Sequence, residues 1–318
     1  MTHSQPAPSP LTRRLKLGLA LNGIIILAEF IGGYWTNSLG LISDASHNLI
    51  DQGSLLLALY AHILASQPPT EERTFGYHRA GTIAAFLNSL TLLLTGLIIA
   101  GIAFYRIITP LEHIPGLWVM GIAGISMMAN FGVAWLLRQG AKNDLNIRGA
   151  FLHMMMDAWM SVGVILCGLG IALTQLTILD PLISLVLVVV IIKGSFPLFR
   201  ESLHILLEST PTHLNTATIV KNLESIPGVK KVHDLHIWSV EPRITMLTCH
   251  VLVDTETVPN KDLLLQPIQS LLSSQFGIHH LTIQLETECP ETEDLHCNLN
   301  HLTKESSQEP ALPHAHHH

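Results

Sequence analysis

Charge is what this chain has least of. Only 13% of its 318 residues are Asp, Glu, Lys or Arg, and the mean hydropathy is +0.40. A soluble chain of this length carries about twice that share of charge, so an ordinary globular enzyme is excluded first. Basic residues are fewer still, 17 against 24 acidic ones, and they form no block. Nucleic-acid binding therefore has no electrostatic footprint. Four cysteines, Cys167, Cys249, Cys289 and Cys297, are too few and too scattered for a secreted disulfide framework. A cleavable leader is also missing: Arg13, Arg14 and Lys16 run straight into an apolar stretch too long for a signal peptide. The abundant residues are apolar, 48% of the chain, and histidine, of which there are 19. A polytopic membrane protein with metal chemistry is the class left standing.

The apolar runs support six spans: 15–35, 39–65, 80–104, 117–137, 145–174 and about 180–199. Each is long enough for a hydrocarbon core of ~30 Å. Residues 1–12 read as a disordered leader, 13–209 as an all-α, six-helix transmembrane domain, 210–290 as a cytosolic α+β domain, and 291–318 as a flexible tail. In the polar part, hydrophobic periodicity predicts a helix at 215–225, strands at 229–240 and 244–254, a helix at 260–276 and a strand at 280–286. The order αββαβ implies helices layered on one face of a small sheet. One set of span flanks holds Arg13, Arg14, Lys16, Arg73, Arg79, Arg138, Lys142, Arg148 and Arg200, and the other holds Arg106 alone. Positive residues stay inside, so both termini are expected in the cytoplasm.

Two spans carry an H-x-x-x-D pattern, His47 with Asp51 and His153 with Asp157. Residues four apart on a helix share a face, so each helix can present one imidazole and one carboxylate together. Both aspartates lie about 12 residues, or ~18 Å, into their spans at the helical rise per residue. The pairs therefore meet near mid-membrane, where ionisable groups are costly and mark a pathway. Two nitrogens and two oxygens make a tetrahedral set suited to Zn²⁺. Protons and metal compete for such donors, which predicts exchange of one for the other. Asp44, one turn before His47, is a candidate for guiding the ion or accepting a proton, or else it caps or packs. Asn22 and Glu29 share a face of the first span and are candidates for helix packing as much as for function. A polar cluster tying helices together is the plain alternative for the four ligands. Haem is disfavoured, because His62 is turned away from His47 and the fifth span offers a single histidine.

Five stretches in order carry a resemblance: 43–51, Arg73–Ala80, Leu145–Ala150 leading to His153 and Asp157, Val232–Trp238, and Leu281–Gln284. Over about residues 12–290 the chain resembles the cation diffusion facilitators, which are zinc/proton antiporters. The resemblance implies a homodimer, a cytosolic domain like a ferredoxin-fold metallochaperone, and a transport site of His47, Asp51, His153 and Asp157 with Zn²⁺ as substrate. Cd²⁺ and Co²⁺ are further candidate substrates. It implies a second, cytosolic Zn²⁺ site at His233, His250, His279 and Glu286, a loop ligand at His78, and an ion pair of Arg79 with Glu208. His236 reads as sheet surface, and a metal role for Cys289 and Cys297 stays open. The short loop between the fourth and fifth spans favours a bacterial inner membrane. The leading function is secondary active efflux of Zn²⁺ in exchange for H⁺. The alternatives are a membrane-anchored metal sensor working through the cytosolic domain and a membrane metalloenzyme, the latter without an H-E-x-x-H motif to support it.

Overall fold

A computed structural model describes residues 10–111, 113–138, 145–258, 260–288 and residue 295. Residues 1–9 of the expected leader, Cys289, Cys297 and residues 314–318 lie outside these residues, while residues 10–12, expected in the leader, open the first helix. The chain divides into two compact units, 1–202 and 203–318.

The first unit is helical: α1 (Pro10–Thr36), α2 (Leu39–Ala65), α3 (Ala80–Ile108), α4 (Gly116–Leu137), α5 (Leu145–Thr174) and α6 (Leu179–Leu206). Among the described residues four helices are long and apolar enough to cross a membrane, and they belong to α3, α4, α5 and α6. The sequence reading expects six. The difference has a physical source in α2, whose middle carries Ser43, Asp44, Ser46, His47, Asn48, Asp51 and Gln52. Those residues lower its hydropathy. They also give it the site.

Exposed side chains on the long helices are mostly large and apolar, such as Leu97, Ile98, Trp159, Leu166 and Val186. Lipid asks for that surface. The interior holds the small and polar residues instead: Ser38, Ser43, Asp44, Asn48, Ser89, Ser126, Asn130, Ser161 and Ser184 are all buried. Ser161 bonds Asp44, and Asn48 and Ser126 bond a carboxyl of the first helix, the kind of polar contact that ties membrane helices together. Helix α1 packs on α2 and α4, α4 packs on α5, and α2 meets both α3 and α5.

Two devices fix α2 and α5. Asp180, in the first turn of α6, accepts hydrogen bonds from the Leu39 and Gly40 amides (2.7 and 3.2 Å) and from Ser38 Oγ (2.6 Å). It thereby satisfies the orphan N–H groups that open α2. Arg106 at the end of α3 completes the knot, donating to the Asn37 carbonyl (2.6 Å) and lying 3.5 Å from Asp180. Where α4 crosses α5, Gly116 and Gly168 are in backbone contact. A Cβ on Gly168 would sit 2.7 Å from the Gly116 carbonyl oxygen and from the Met120 nitrogen.

The second unit is an α+β domain: α7 (Thr216–Glu224), β1 (Val229–Glu241), β2 (Ile244–Val253), α8 (Leu265–Phe276) and β3 (His280–Glu286). The sheet order is β1-β2-β3, with β1 and β2 antiparallel and β2 and β3 parallel across the α8 crossover. One sheet face, with Ile237, Leu247, Cys249 and Val251, packs on Ile219, Leu223, Ile268 and Leu272 of the two helices. The other face carries the even-numbered residues of β2 and β3. Asn215 caps α7 by accepting the Thr218 amide (3.0 Å). Gly277 ends α8 at φ +66°, a left-handed conformation that glycine adopts without strain.

Candidate metal sites

In the helical unit His47, Asp51, His153 and Asp157 form a ring in which each imidazole faces two carboxylates. His47 Nε2 lies 3.4 Å from Asp51 Oδ2 and 4.0 Å from Asp157 Oδ1. His153 Nε2 lies 3.6 Å from Asp51 Oδ2 and 3.5 Å from Asp157 Oδ2. The two histidine rings meet edge to face, with centroids 6.5 Å apart. So the i, i+4 spacing places each pair on one helix face, and the packing of α2 on α5 closes the ring. Asp157 is 1% exposed, and neither of its carboxylate oxygens accepts a hydrogen bond. An ionised carboxylate in that state is strongly disfavoured without a cation or a proton.

The polar residues around the ring belong to four helices. Ser161 Oγ lies 3.1 Å from Asp44 Oδ2 and 3.1 Å from the Asp157 carbonyl. Asn48 Nδ2 donates to Glu29 (3.4 Å), and Ser126 Oγ donates to the same carboxyl. Glu29, Asp44 and Asn22 are all buried. His78 is half-buried in the segment between α2 and α3, and it enters no cluster of metal-ligand donors among the described residues. Arg79 stands at the N-cap of α3, in the first unit. Glu208 follows α6 at φ +57°, in the second.

On the open face of the sheet His233, His250 and Glu286 come together from β1, β2 and β3. Glu286 reaches both histidines: Oε2 to His233 Nε2 at 3.1 Å and Oε1 to His250 Nδ1 at 3.1 Å. Among the described residues, this is the one group of three donors that all lie within 4.8 Å of one another. The membrane ring is wider: its neighbours are close, but no three of its donors meet that spacing. His233 is fully buried. The set offers two imidazole nitrogens and a carboxyl group, which fits Zn²⁺ with a further position open.

His279 is exposed just ahead of β3 and stands outside this triad. Asp234 is the residue that sequence reasoning missed. Its Oδ2 lies 3.6 Å from His250 Nε2, and its Oδ1 lies 2.9 Å from His236 Nε2. The cause is a bulge. Asp234 takes φ +47°, and the pairing jumps from His233↔His250 to His236↔Thr248. Three residues of β1 thus oppose two of β2, so His233 and His236 face the same side although strict alternation would separate them. The phase slip in Val232-His233-Asp234-Leu235-His236-Ile237, with apolar residues at 232, 235 and 237, is the signal that was available.

Comparison with known proteins gives the same division of the chain. Residues 15–207 match the family model described as the cation efflux transmembrane domain. Residues 211–288 match the one described as the cation efflux protein, cytoplasmic domain. A cadmium, cobalt and zinc/H(+)-K(+) antiporter of Bacillus subtilis (strain 168) is 36% identical over 302 residues, covering 94% of each chain. The zinc transporter ZitB of Escherichia coli (strain K12) is 35% identical over 310 residues, covering 96% of this chain and 94% of its own. Among solved structures, the metal-bound C-terminal domain of the CzcD transporter from Cupriavidus metallidurans shares 38% sequence identity. It covers 23% of this chain and 99% of its own, with a TM-score of 0.21.

Proposed function

The chain belongs to the cation diffusion facilitator family of membrane transporters, and on that premise we propose that it exports Zn²⁺ from the cytosol in exchange for H⁺. It is a transporter and not an enzyme. Cd²⁺ and Co²⁺ are further substrates by analogy with the Bacillus relative, whose name includes both. The ion passes through the ring of His47, Asp51, His153 and Asp157. The observation that carries this reading is Asp157, a buried carboxylate without a hydrogen-bond donor, facing two imidazoles.

The ring works by competition. Neutral imidazole and ionised carboxylate bind the ion, and their protonated forms release it. Opening to the cytosol exposes a deprotonated ring that loads Zn²⁺. Opening to the far side lets protons displace it. Each return then carries protons inward, and no energy source besides the proton gradient is required.

The remaining architecture follows as part of the same proposal. All six helices of the first unit span the membrane, with both termini in the cytoplasm of a bacterium and the protein in its inner membrane. Residues 13–209 are the transport domain and 210–290 the cytosolic domain, and two copies assemble as a homodimer. A resident Zn²⁺ would be held by His233, His250 and Glu286, where it supplies a cross-link between three strands.

A second reading makes the spans an anchor and the cytosolic triad a metal sensor. It is favoured by the tighter spacing of the triad's donors. Flux separates the two. Proteoliposomes with an imposed pH gradient are loaded with wild type, Asp51→Ala or Asp157→Ala. Transport by wild type and none by either variant supports the exchanger. Wild type that moves no Zn²⁺, or variants that match it, would leave the sensor.

A further inference from the structure

Leu295 lies in the stretch expected as a flexible tail, yet it is half-buried. It is also fastened twice. Its carbonyl accepts a hydrogen bond from the Leu235 amide at 2.9 Å. Its side chain packs against the apolar core of the second unit, to which Leu235 belongs.

Both contacts reach the bulge of β1. There Asp234 and Leu235 have no paired residue on β2, because the register jumps from His233↔His250 to His236↔Thr248. Leu235 is 3% exposed, and a buried main-chain N–H without an acceptor is strongly disfavoured. The interrupted ladder leaves that acceptor to be found elsewhere, and Leu295 provides it.

The same bulge shapes the cytosolic metal site. Asp234 sits at φ +47°, a left-handed conformation that aspartate tolerates better than most side chains. That turn brings it to His250 (3.6 Å) and His236 (2.9 Å). The residue before it, His233, meets Glu286 at 3.1 Å. The competing arrangement is a regular β1, in which Asp234 relaxes to extended backbone. Removing the bulge forces one flank of the pairing to slip by a residue. A slip on the His233 side turns that imidazole off the face where His250 and Glu286 stand.

We propose that Leu295 is a positioning residue for the cytosolic metal site: fastened to the β1 bulge, it holds His233 and Asp234 in the arrangement that binds a divalent cation. Docking of Leu295 and binding of the metal therefore favour each other. The inference rests on the triad being a Zn²⁺ site. Leu295 offers no metal-ligating side chain, so its effect passes through the backbone of β1. Coupling of this kind is reciprocal. An ion that ties β1, β2 and β3 together favours the bulged strand to which Leu295 docks, and docking raises affinity for the ion by the same factor.

The test uses the full-length protein in detergent, with Zn²⁺ alone as the probe. Hydrogen exchange with mass spectrometry follows the β1 peptides that contain Leu235 at rising Zn²⁺. In wild type the ion is expected to slow their exchange several-fold, and the midpoint gives the affinity. Leu295→Asp sets a charge against the apolar core. It is expected to speed β1 exchange without metal and to raise the Zn²⁺ midpoint about tenfold, within the usual range for linked sites. Leu295→Met, which keeps the apolar contact, is expected to restore both values. Leu295→Asp with wild-type exchange and midpoint overturns the proposal. Exchange in α7 and α8 reads the stability of the domain and is expected to stay as in wild type. If it rises as much as that of β1, Leu295 only stabilises the fold and the positioning role falls. The tail has donors of its own, so Cys289→Ser, His296→Ala and Cys297→Ser are combined and are expected to keep the wild-type midpoint. A loss equal to that of Leu295→Asp would make the tail a ligand and overturn the positioning role. His250→Ala with Glu286→Ala separates the two readings. If Zn²⁺ slows β1 exchange there as in wild type, the triad reading falls and this inference with it. If the response is lost there but unchanged in Leu295→Asp, this inference alone falls.

Discussion

At the scale of single residues, chemistry follows from donor type and burial. Histidine and aspartate alternate around the ring, and exchanging one imidazole for a carboxylate changes its preference. His153→Asp breaks the tetrahedral N₂O₂ set that suits Zn²⁺ and adds a carboxylate, which can bind a larger ion through both oxygens. Cd²⁺ flux relative to Zn²⁺ is expected to rise several-fold in competition assays in vesicles. A ratio equal to wild type would mean that the two imidazoles do not set selectivity. Cys249 illustrates the opposite case, a metal-ligand residue type with no access to metal. Burial, and then the charge of Asp234, push its thiol up to about 12. It is 1% exposed in the apolar core of the second unit. Thiolate is the reactive form, so iodoacetamide at about pH 8 is expected to leave Cys249 unmodified in the folded protein and to label it after denaturation. Mass spectrometry of the 244–261 peptide decides it.

At the scale of elements, much of the fold was legible, because periodicity and punctuation are local properties. The strand at 280–286 and the crossover helix ending at Phe276 were readable from alternation and from Gly277. The two His–Asp pairs were readable because helix spacing alone puts His47 beside Asp51 and His153 beside Asp157, whereas their approach to each other depends on how α2 lies on α5. Asp234 was not, because a bulge is set by tertiary pairing of β1 with β2. The bonding of Glu29 by Asn48 was not either, since it depends on how α1 lies on α2. The N-terminal clamp of α2 belongs to this class as well. Asp180 binds two α2 amides and Ser38 from another helix, and Asp180→Ala removes all three acceptor contacts at once. Hydrogen bonds to a charged acceptor contribute about 1.5–3 kcal/mol each, so thermal unfolding in detergent should move down by several degrees. Zn²⁺ flux should fall with it, because α2 carries half of the ring. A variant of wild-type stability and flux would show that α2 is held elsewhere.

The β1–β2 hairpin has an electrostatic staple of its own. The Thr257 hydroxyl and the Lys230 ammonium, the latter 3.0 Å away, hold the Asp254 carboxyl below its usual range. A depressed folded-state pKa stabilises the fold above the unfolded value of about 3.9 and loses that contribution as pH falls through the folded value. Lys230→Ala is expected to raise the Asp254 pKa measured by NMR. The part of the loss of stability in acid that comes from this carboxyl should shrink with it.

At the scale of the whole molecule, the question is what the proposed exchange of Zn²⁺ for H⁺ requires of a ring made of acids and bases. Every proton displaced when Zn²⁺ binds makes affinity change tenfold per pH unit, a consequence of linkage. Loading is therefore expected to weaken as pH falls. The slope of log affinity against pH then counts the protons exchanged. Two metal classes complicate a bulk titration, because the cytosolic triad competes for the same ion. Removing His250 and Glu286 leaves the ring, and removing Asp51 and Asp157 leaves the triad. The ring should show the steep slope, because all four of its ligands are ionisable and compete with protons for the ion. The triad, with two imidazoles and one carboxylate at an open sheet face, should show a shallower one. Equal slopes for the two would mean that the membrane site gains no extra protons from its surroundings. The steep pH dependence needed for exchange would then have to come from the conformational step rather than from binding.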